Sequence, residues 1–158
     1  IPDEQLDELV KEQKKTGWEK PESGEQCFYI SFERKVCEMV WTDCKWDEDG
    51  FSCGNCFTSK ELAENIARYQ SLDLRIRRRI VEICKPIDWR DGNSCKFFIY
   101  CKHPLRQLAV SSSFGHQYDS WYCDTEAHAE QIIEEFKDEL TWYFTEFKDR
   151  MDGTSCDG

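Results

Sequence analysis

Apolar positions along the chain recur with two different periods. Leu62, Ile66, Tyr69, Leu72, Ile76, Ile80 and Ile83 keep the 3.6-residue spacing of one helix face for more than twenty residues. Thr58-Ser-Lys-Glu61 before them reads as a capping box, with Thr58 as N-cap, and Pro86 ends the run. A second stripe of Ala129, Ile132, Ile133, Phe136, Leu140, Tyr143, Phe144 and Phe147 predicts a last helix capped by Asp124. Between these stripes the pattern is strand-like. Residues 27–32 (CFYISF) and 35–41 (KVCEMVW) predict a hairpin around Glu33-Arg34. Residues 95–101 (CKFFIYC) and 107–113 (QLAVSSS) predict two more strands, and Ser120–Cys123 a short extended piece. Asp47–Gly50 reads as a turn, and Phe51–Phe57 as a short extended or looped segment. Residues 3–15 carry acids first and lysines last, as the helix dipole favours, and predict an N-terminal helix.

These elements repeat. FYISF around Ile30 answers KFFIY around Ile99, and Ala63-Glu-Asn-Ile66 answers Ala129-Glu-Gln-Ile132, at spacings of 69 residues for the strand and 66 for the helix. The expected fold is α+β: an N-terminal helix over 1–17, β-β-α units over 18–86 and 87–152 sharing one core, and a frayed tail over 153–158. One such unit cannot bury both its sheet face and its helix stripe, whereas two can do so together.

Composition narrows the function classes. The 158 residues carry 32 acids against 21 bases, a net charge of -11. A field of that sign repels phosphate backbones and anionic membranes and favours a basic partner. The charge is uneven: residues 124–158 hold 11 acids and 3 bases, whereas residues 57–102 hold 10 bases and 6 acids. No apolar run is long enough to span a membrane, and no signal peptide is visible, although the start at Ile1 leaves room for a longer N-terminus.

The acidic and basic segments each offer a candidate surface. Glu130, Glu134 and Asp138 recur every four residues, and with Glu126 they line one face of the last helix. Such a row of carboxylates can stand in for DNA phosphates and fill a basic groove; otherwise it is a solvated face. Arg75, Arg77, Arg78 and Arg79, with Arg68 upstream, form a basic cluster that suits a phosphate contact. The plainer reading sets these arginines against the helix dipole and the acidic last helix.

Ten cysteines are expected mainly as free thiols at apolar positions, with a disulfide framework or a metal site as alternatives. Cys53-Gly-Asn-Cys56 is half a zinc site or a redox pair by spacing. It lacks a second C-x-x-C, Cys101-Lys-His103 being the only nearby substitute, so a structural turn is expected and no metal or other cofactor. His128-Ala-Glu130 matches only half of the zinc-deaminase signature. There is no nucleophile elbow and no phosphate loop, so no enzyme is expected. Trp41, Trp46, Trp89 and Trp121 could stack a small ligand between the repeats.

Trp18-Glu-Lys-Pro21-Glu-Ser-Gly24-Glu25, the Phe28-Tyr29-Ile30 strand and Gly54-Asn55-Cys56-Phe57-Thr58 with Ala63 in the helix resemble a family of small accessory proteins. These are encoded by phages, prophages and plasmids of Firmicutes. Asp88-Trp89, Lys96–Tyr100 and Tyr122–Ala129 fit the same pattern, so the resemblance covers residues 18 to about 145. It implies a mobile-element protein in the bacterial cytoplasm, with reduced thiols, and it brings no catalytic residues. The leading expectation is a non-enzymatic protein that binds and inhibits or modulates a host protein with a basic surface, of anti-defence type. A nucleic-acid module using Arg75–Arg79 comes second, and a small-ligand binder third.

Overall fold

The computed structural model describes residues 2–7, 16–116 and 120–147. Residues 3–7 are helical. The rest of the expected N-terminal helix, residues 8–15, and the tail over 153–158 lie outside the described residues. The elements in order are β1 (Gln26–Ile30), β2 (Val36–Val40), α1 (Lys45–Ser52), α2 (Lys60–Ile83), β3 (Lys96–Lys102), β4 (Gln107–Ser113), β5 (Tyr122–Cys123), α3 (Glu126–Glu135), α4 (Lys137–Trp142) and a π-helical turn (Tyr143–Phe147). The class is α+β, with two small antiparallel sheets. No helix among the described residues is long and apolar enough to cross a membrane.

The chain divides into two compact units, Ile1–Gln70 and Ser71–Gly158. In the first, β1 and β2 pair from Gln26↔Val40 to Ile30↔Val36. The hairpin closes where Arg34 takes a φ of 63° and donates its N–H to the Ser31 carbonyl at 2.9 Å. Cys27, Trp41 and Cys56 form the buried centre, with Met39 and Phe51 against them. Gly17 sits against the start of α2: a Cβ there would lie 2.7 Å from that of Ser59, and its φ of +93° suits no other residue well.

In the second unit β3 is the central strand, between β4 and β5. Its partners run from Lys96↔Ser113 to Lys102↔Gln107 on one side, with Phe97↔Cys123 and Phe98↔Tyr122 on the other. Ile99, Trp121, Cys123, Ala129, Ile132 and Leu140 are buried, as are Leu72 and Ile76 of α2. Lys96 is buried too, and its ammonium is held by the carbonyls of Asp91 (2.5 Å) and Phe114 (3.2 Å).

The two units reproduce one another's bonding at the offsets read from the sequence. Phe28 bridges Phe57 antiparallel, and Phe97 pairs Cys123. Ser59 Oγ accepts from Leu62 N at 3.2 Å, and Thr125 Oγ1 accepts from His128 N at 3.2 Å. The helix-start alanines Ala63 and Ala129 each bond back to the cap residue's carbonyl at 3.1 Å. Burial follows the same pairing: Ile30 with Ile99, Ala63 with Ala129, Ile66 with Ile132.

Four expectations need correction. Asp47–Gly50 is not a turn but lies within α1. The sequence there looks turn-like because Asp47, Asp49 and Gly50 are weak helix formers. The helix is fixed by Asp47, whose buried carboxylate accepts from Thr42 N (2.7 Å) and Thr42 Oγ1 (2.8 Å). The caps fall one residue later than expected. Thr58 gives its hydroxyl to Glu19 (3.1 Å) and leaves the N-cap to Ser59, and Thr125 rather than Asp124 caps α3. The last helix is broken at Phe136, whose φ of -117° and ψ of 22° separate α3 from α4. Trp41 and Trp121 are core residues, 1% and 5% exposed, and so present no face to a ligand. Their indole N–H groups donate to Asp43 and Asp73.

Candidate functional site

The expected acidic row falls on two elements. Glu126, Glu130 and Glu134 lie on α3, four residues and so just over one helical turn apart, and their positions step about 6 Å along the axis. Asp138 comes after the break, in the first turn of α4. All four are exposed, and none makes a hydrogen bond or ion pair among the described residues.

The basic cluster is largely consumed within the second unit. The Arg75 guanidinium holds Glu139 through two bonds, 2.9 and 2.5 Å, and stands 5.8 Å from the Phe136 ring centre. Arg79 holds Glu135 at 2.8 and 2.9 Å and reaches Glu82 at 3.1 Å. Arg77 bonds Asp73 at 2.9 Å. These forked pairs match the planar geometry that guanidinium and carboxylate share. The side-chain bond from Arg79 holds the Glu135 carboxyl down at about 2. Of the remaining arginines, Arg68 and Arg78 are both exposed, and Arg68 lies in the first unit. A phosphate backbone would therefore have to displace internal carboxylates from most of this cluster.

Cys53 and Cys56 do not act as a pair. Cys53 is exposed and its thiol donates to the Gly50 carbonyl at 3.2 Å, within the turn that Gly54 allows at φ +81°. Cys56 is buried and meets Cys27 instead, and burial first, then Cys27, pushes its thiol up to about 12. A thiol so placed stays protonated and is a poor nucleophile. Beside this turn the first unit holds a cavity of about 390 Å³, lined by Tyr29, Met39, Trp46, Asp49 and Cys56 among others. Trp46 is 60% exposed at its edge and meets the Tyr29 ring edge-on at 5.5 Å. Trp89, by contrast, packs on His116 and Tyr122 in the second unit.

One cluster, as a set, matches no sequence motif, although His128 belongs to the half-signature and Asp124 was the expected cap. Donor atoms of Cys84, Asp124 and His128 lie within 4.8 Å of one another. Asp124 is its hub: Oδ1 meets His128 Nδ1 at 2.6 Å, and Oδ2 accepts Lys85 N at 2.9 Å. Burial pushes its pKa up, but His128, the Lys85 N–H and the Cys84 thiol outweigh that and bring it to about 2. Cys84 is pushed up by burial and contacts Asp124 and Cys123. The carboxylate thus stands between thiol and imidazole, which is the wrong order for a cysteine nucleophile with a histidine base. Glu130, the acid of the half-signature, is exposed. The cluster joins the residue after α2, the end of β5 and the first turn of α3, about 40 residues apart in sequence, so no local spacing announces it.

Compared with family models, with curated proteins and with solved structures, the chain matches none.

Proposed function

We propose that this chain is a non-enzymatic interaction protein that docks a basic surface of a partner protein through Glu126, Glu130, Glu134 and Asp138. The observation that carries this reading is a contrast in pairing. These four carboxylates are exposed and make no bond among the described residues, whereas Arg75, Arg77 and Arg79 are committed to carboxylates of their own unit. Charge on the acidic face is therefore free to steer a basic partner, and most of the arginine charge is not free to hold nucleic acid. With the resemblance to accessory proteins of Firmicute mobile elements, the partner is a host protein, bound so as to inhibit or modulate it. The break at Phe136 turns the row into two short segments.

Reversing Glu126, Glu130, Glu134 and Asp138 to Lys should leave the fold intact, since exposed substitutions usually stay within about 0.5 kcal/mol each. It should abolish capture of the partner from a nuclease-treated Firmicute lysate and remove the salt dependence of association. Arg78→Ala should leave capture unchanged. Retention by the reversed chain, or loss of capture on nuclease treatment of the unaltered one, would overturn the reading. A second reading, a small apolar ligand in the first unit, is favoured by the cavity beside Trp46 and Tyr29. Its volume lies within the range of about 300–1,000 Å³ usual for ligand pockets.

A further inference from the structure

We propose that Cys84, Asp124 and His128 bind a zinc ion, with Cys123 as the fourth donor. The first argument is donor chemistry. One thiol sulfur, one imidazole nitrogen and one carboxylate oxygen converge within 4.8 Å, and sulfur with nitrogen is the mixed set that zinc takes in preference to magnesium or calcium.

The second argument is distance. Tetrahedral zinc with bonds of about 2.0–2.3 Å needs its donors roughly 3.3–3.8 Å apart. The three atoms already lie within an ångström or so of that spacing. The Asp124–His128 contact, at 2.6 Å, is too short, and a small retreat of the imidazole corrects it. His128 has room for that movement, its side chain being one-third exposed, while Asp124 is more enclosed at 15%.

The third argument is support. The Lys85 N–H fixes one oxygen of Asp124, and Thr125 caps the turn that carries His128. Bonds of this kind orient metal ligands and are worth about 10–100-fold in affinity. Cys123 is fully buried on β5, and its thiol meets that of Cys84. It lies outside the three-atom cluster, but its thiol touches one member of it. Four protein donors make a closed site, which structural zinc uses and catalytic zinc does not. Binding sends the two thiol protons to solvent.

The Cys27–Cys56 pair of the first unit resembles this one in its two touching thiols, but that unit contains no histidine: His103, His116 and His128 all belong to the second unit. The two pairs therefore provide an internal control.

The test uses the full chain, freed of metal by a chelator, then given zinc and desalted. One zinc per chain is expected by elemental analysis. Cobalt in its place should give a thiolate charge-transfer band, which weakens but survives in Cys123→Ser. His128→Gln changes a partly exposed residue and so keeps the fold; it should lower zinc affinity by more than about 100-fold, beyond what supporting bonds alone account for. Cys84→Ser should do the same, and Cys53→Ser and Cys27→Ser should not. The proposal is overturned if the unaltered chain retains no zinc. It is equally overturned if His128→Gln and Cys84→Ser keep full stoichiometry and affinity, or if Cys53→Ser alone releases the metal.

Discussion

The two units solve one backbone problem in two ways. Each has a strand with a buried isoleucine, Ile30 in β1 or Ile99 in β3, and the polar groups of that residue need partners on the side away from the hairpin. In the second unit the backbone supplies one: Ile99 N donates to the Trp121 carbonyl at 3.4 Å, just before β5. In the first unit the residue 66 positions before Trp121 is Asn55, and its side chain does the work. Asn55 Oδ1 accepts from Ile30 N at 2.8 Å, and Nδ2 donates to the Ile30 carbonyl at 2.9 Å. A carboxamide carries the same donor and acceptor as a peptide unit, so it can imitate a strand where the chain is turning. The Gly54-Asn55 turn is thus constrained by sheet bonding and not by the cysteines that flank it.

The largest effect should come from the isoleucines themselves. Ile30→Ala and Ile99→Ala each remove a side chain that is 6% or 2% exposed, and each should cost about 2–5 kcal/mol in denaturant unfolding. Equivalent costs would support the two units as copies of one design. A loss below about 1 kcal/mol at either site would break the equivalence there.

Asn55→Ala should come next, at about 1–3 kcal/mol, because it leaves two polar groups of Ile30 without partners. Hydrogen exchange should sharpen the comparison: the Ile30 amide should lose protection while the Ile99 amide keeps it. Equal loss at both amides would mean that the substitution unfolds the chain generally.

The caps are smaller and should match. Ser59→Ala and Thr125→Ala each delete one bond to the third helical N–H, at 3.2 Å in both units, and should each cost about 1 kcal/mol. Glycine at the same places should cost only a few tenths, since it keeps the backbone geometry of a cap.

Much of this was legible in the sequence because it rests on local periodicity. The stripe from Leu62 to Ile83 gave α2 almost to the residue, and the alternation in CFYISF and KFFIYC gave β1 and β3. The repeat was legible because Ala63 and Ala129 sit where the helix starts approach close packing, and both are fully buried. What was hidden lay outside the apolar periods. Helix α1 is fixed by a carboxylate that reaches back to Thr42, which no period reports. Phe136 keeps the apolar spacing of its neighbours while its backbone leaves the helix, so the stripe passes through the break unmarked. That the arginines would face the acidic last helix was the plainer expectation, but which carboxylates they hold, Glu139 for Arg75 and Glu135 for Arg79, was not legible across so long a stretch of sequence. Cys84, Asp124 and His128 meet only once the strand and both helix ends are in place.

The finest distinction between the units is electrostatic, and salt should expose it. Each holds a glutamate brought down to about 2, against an ordinary value of 4.5, but for different reasons. For Glu19 burial pushes upward, and it is outweighed by neutral donors: the Thr16 backbone and hydroxyl and the Gly17 N–H, at 2.5–2.9 Å. For Glu135 the leading cause is the charged Arg79 side chain. Both values are depressed on folding, so both groups stabilise the fold fully above about pH 4.5, and that stability is lost as pH falls toward 2. The screening length drops to about 3 Å at 1 M salt, which weakens an exposed ion pair and leaves short bonds to neutral N–H groups intact. Carboxyl titration by NMR should therefore show Glu135 rising toward its ordinary value in high salt while Glu19 stays low. Arg79→Gln should raise Glu135 in low salt and leave Glu19 unmoved. If both groups respond to salt alike, the forked Arg79 bond carries no special share of the shift, and the contrast between neutral and charged partners is lost.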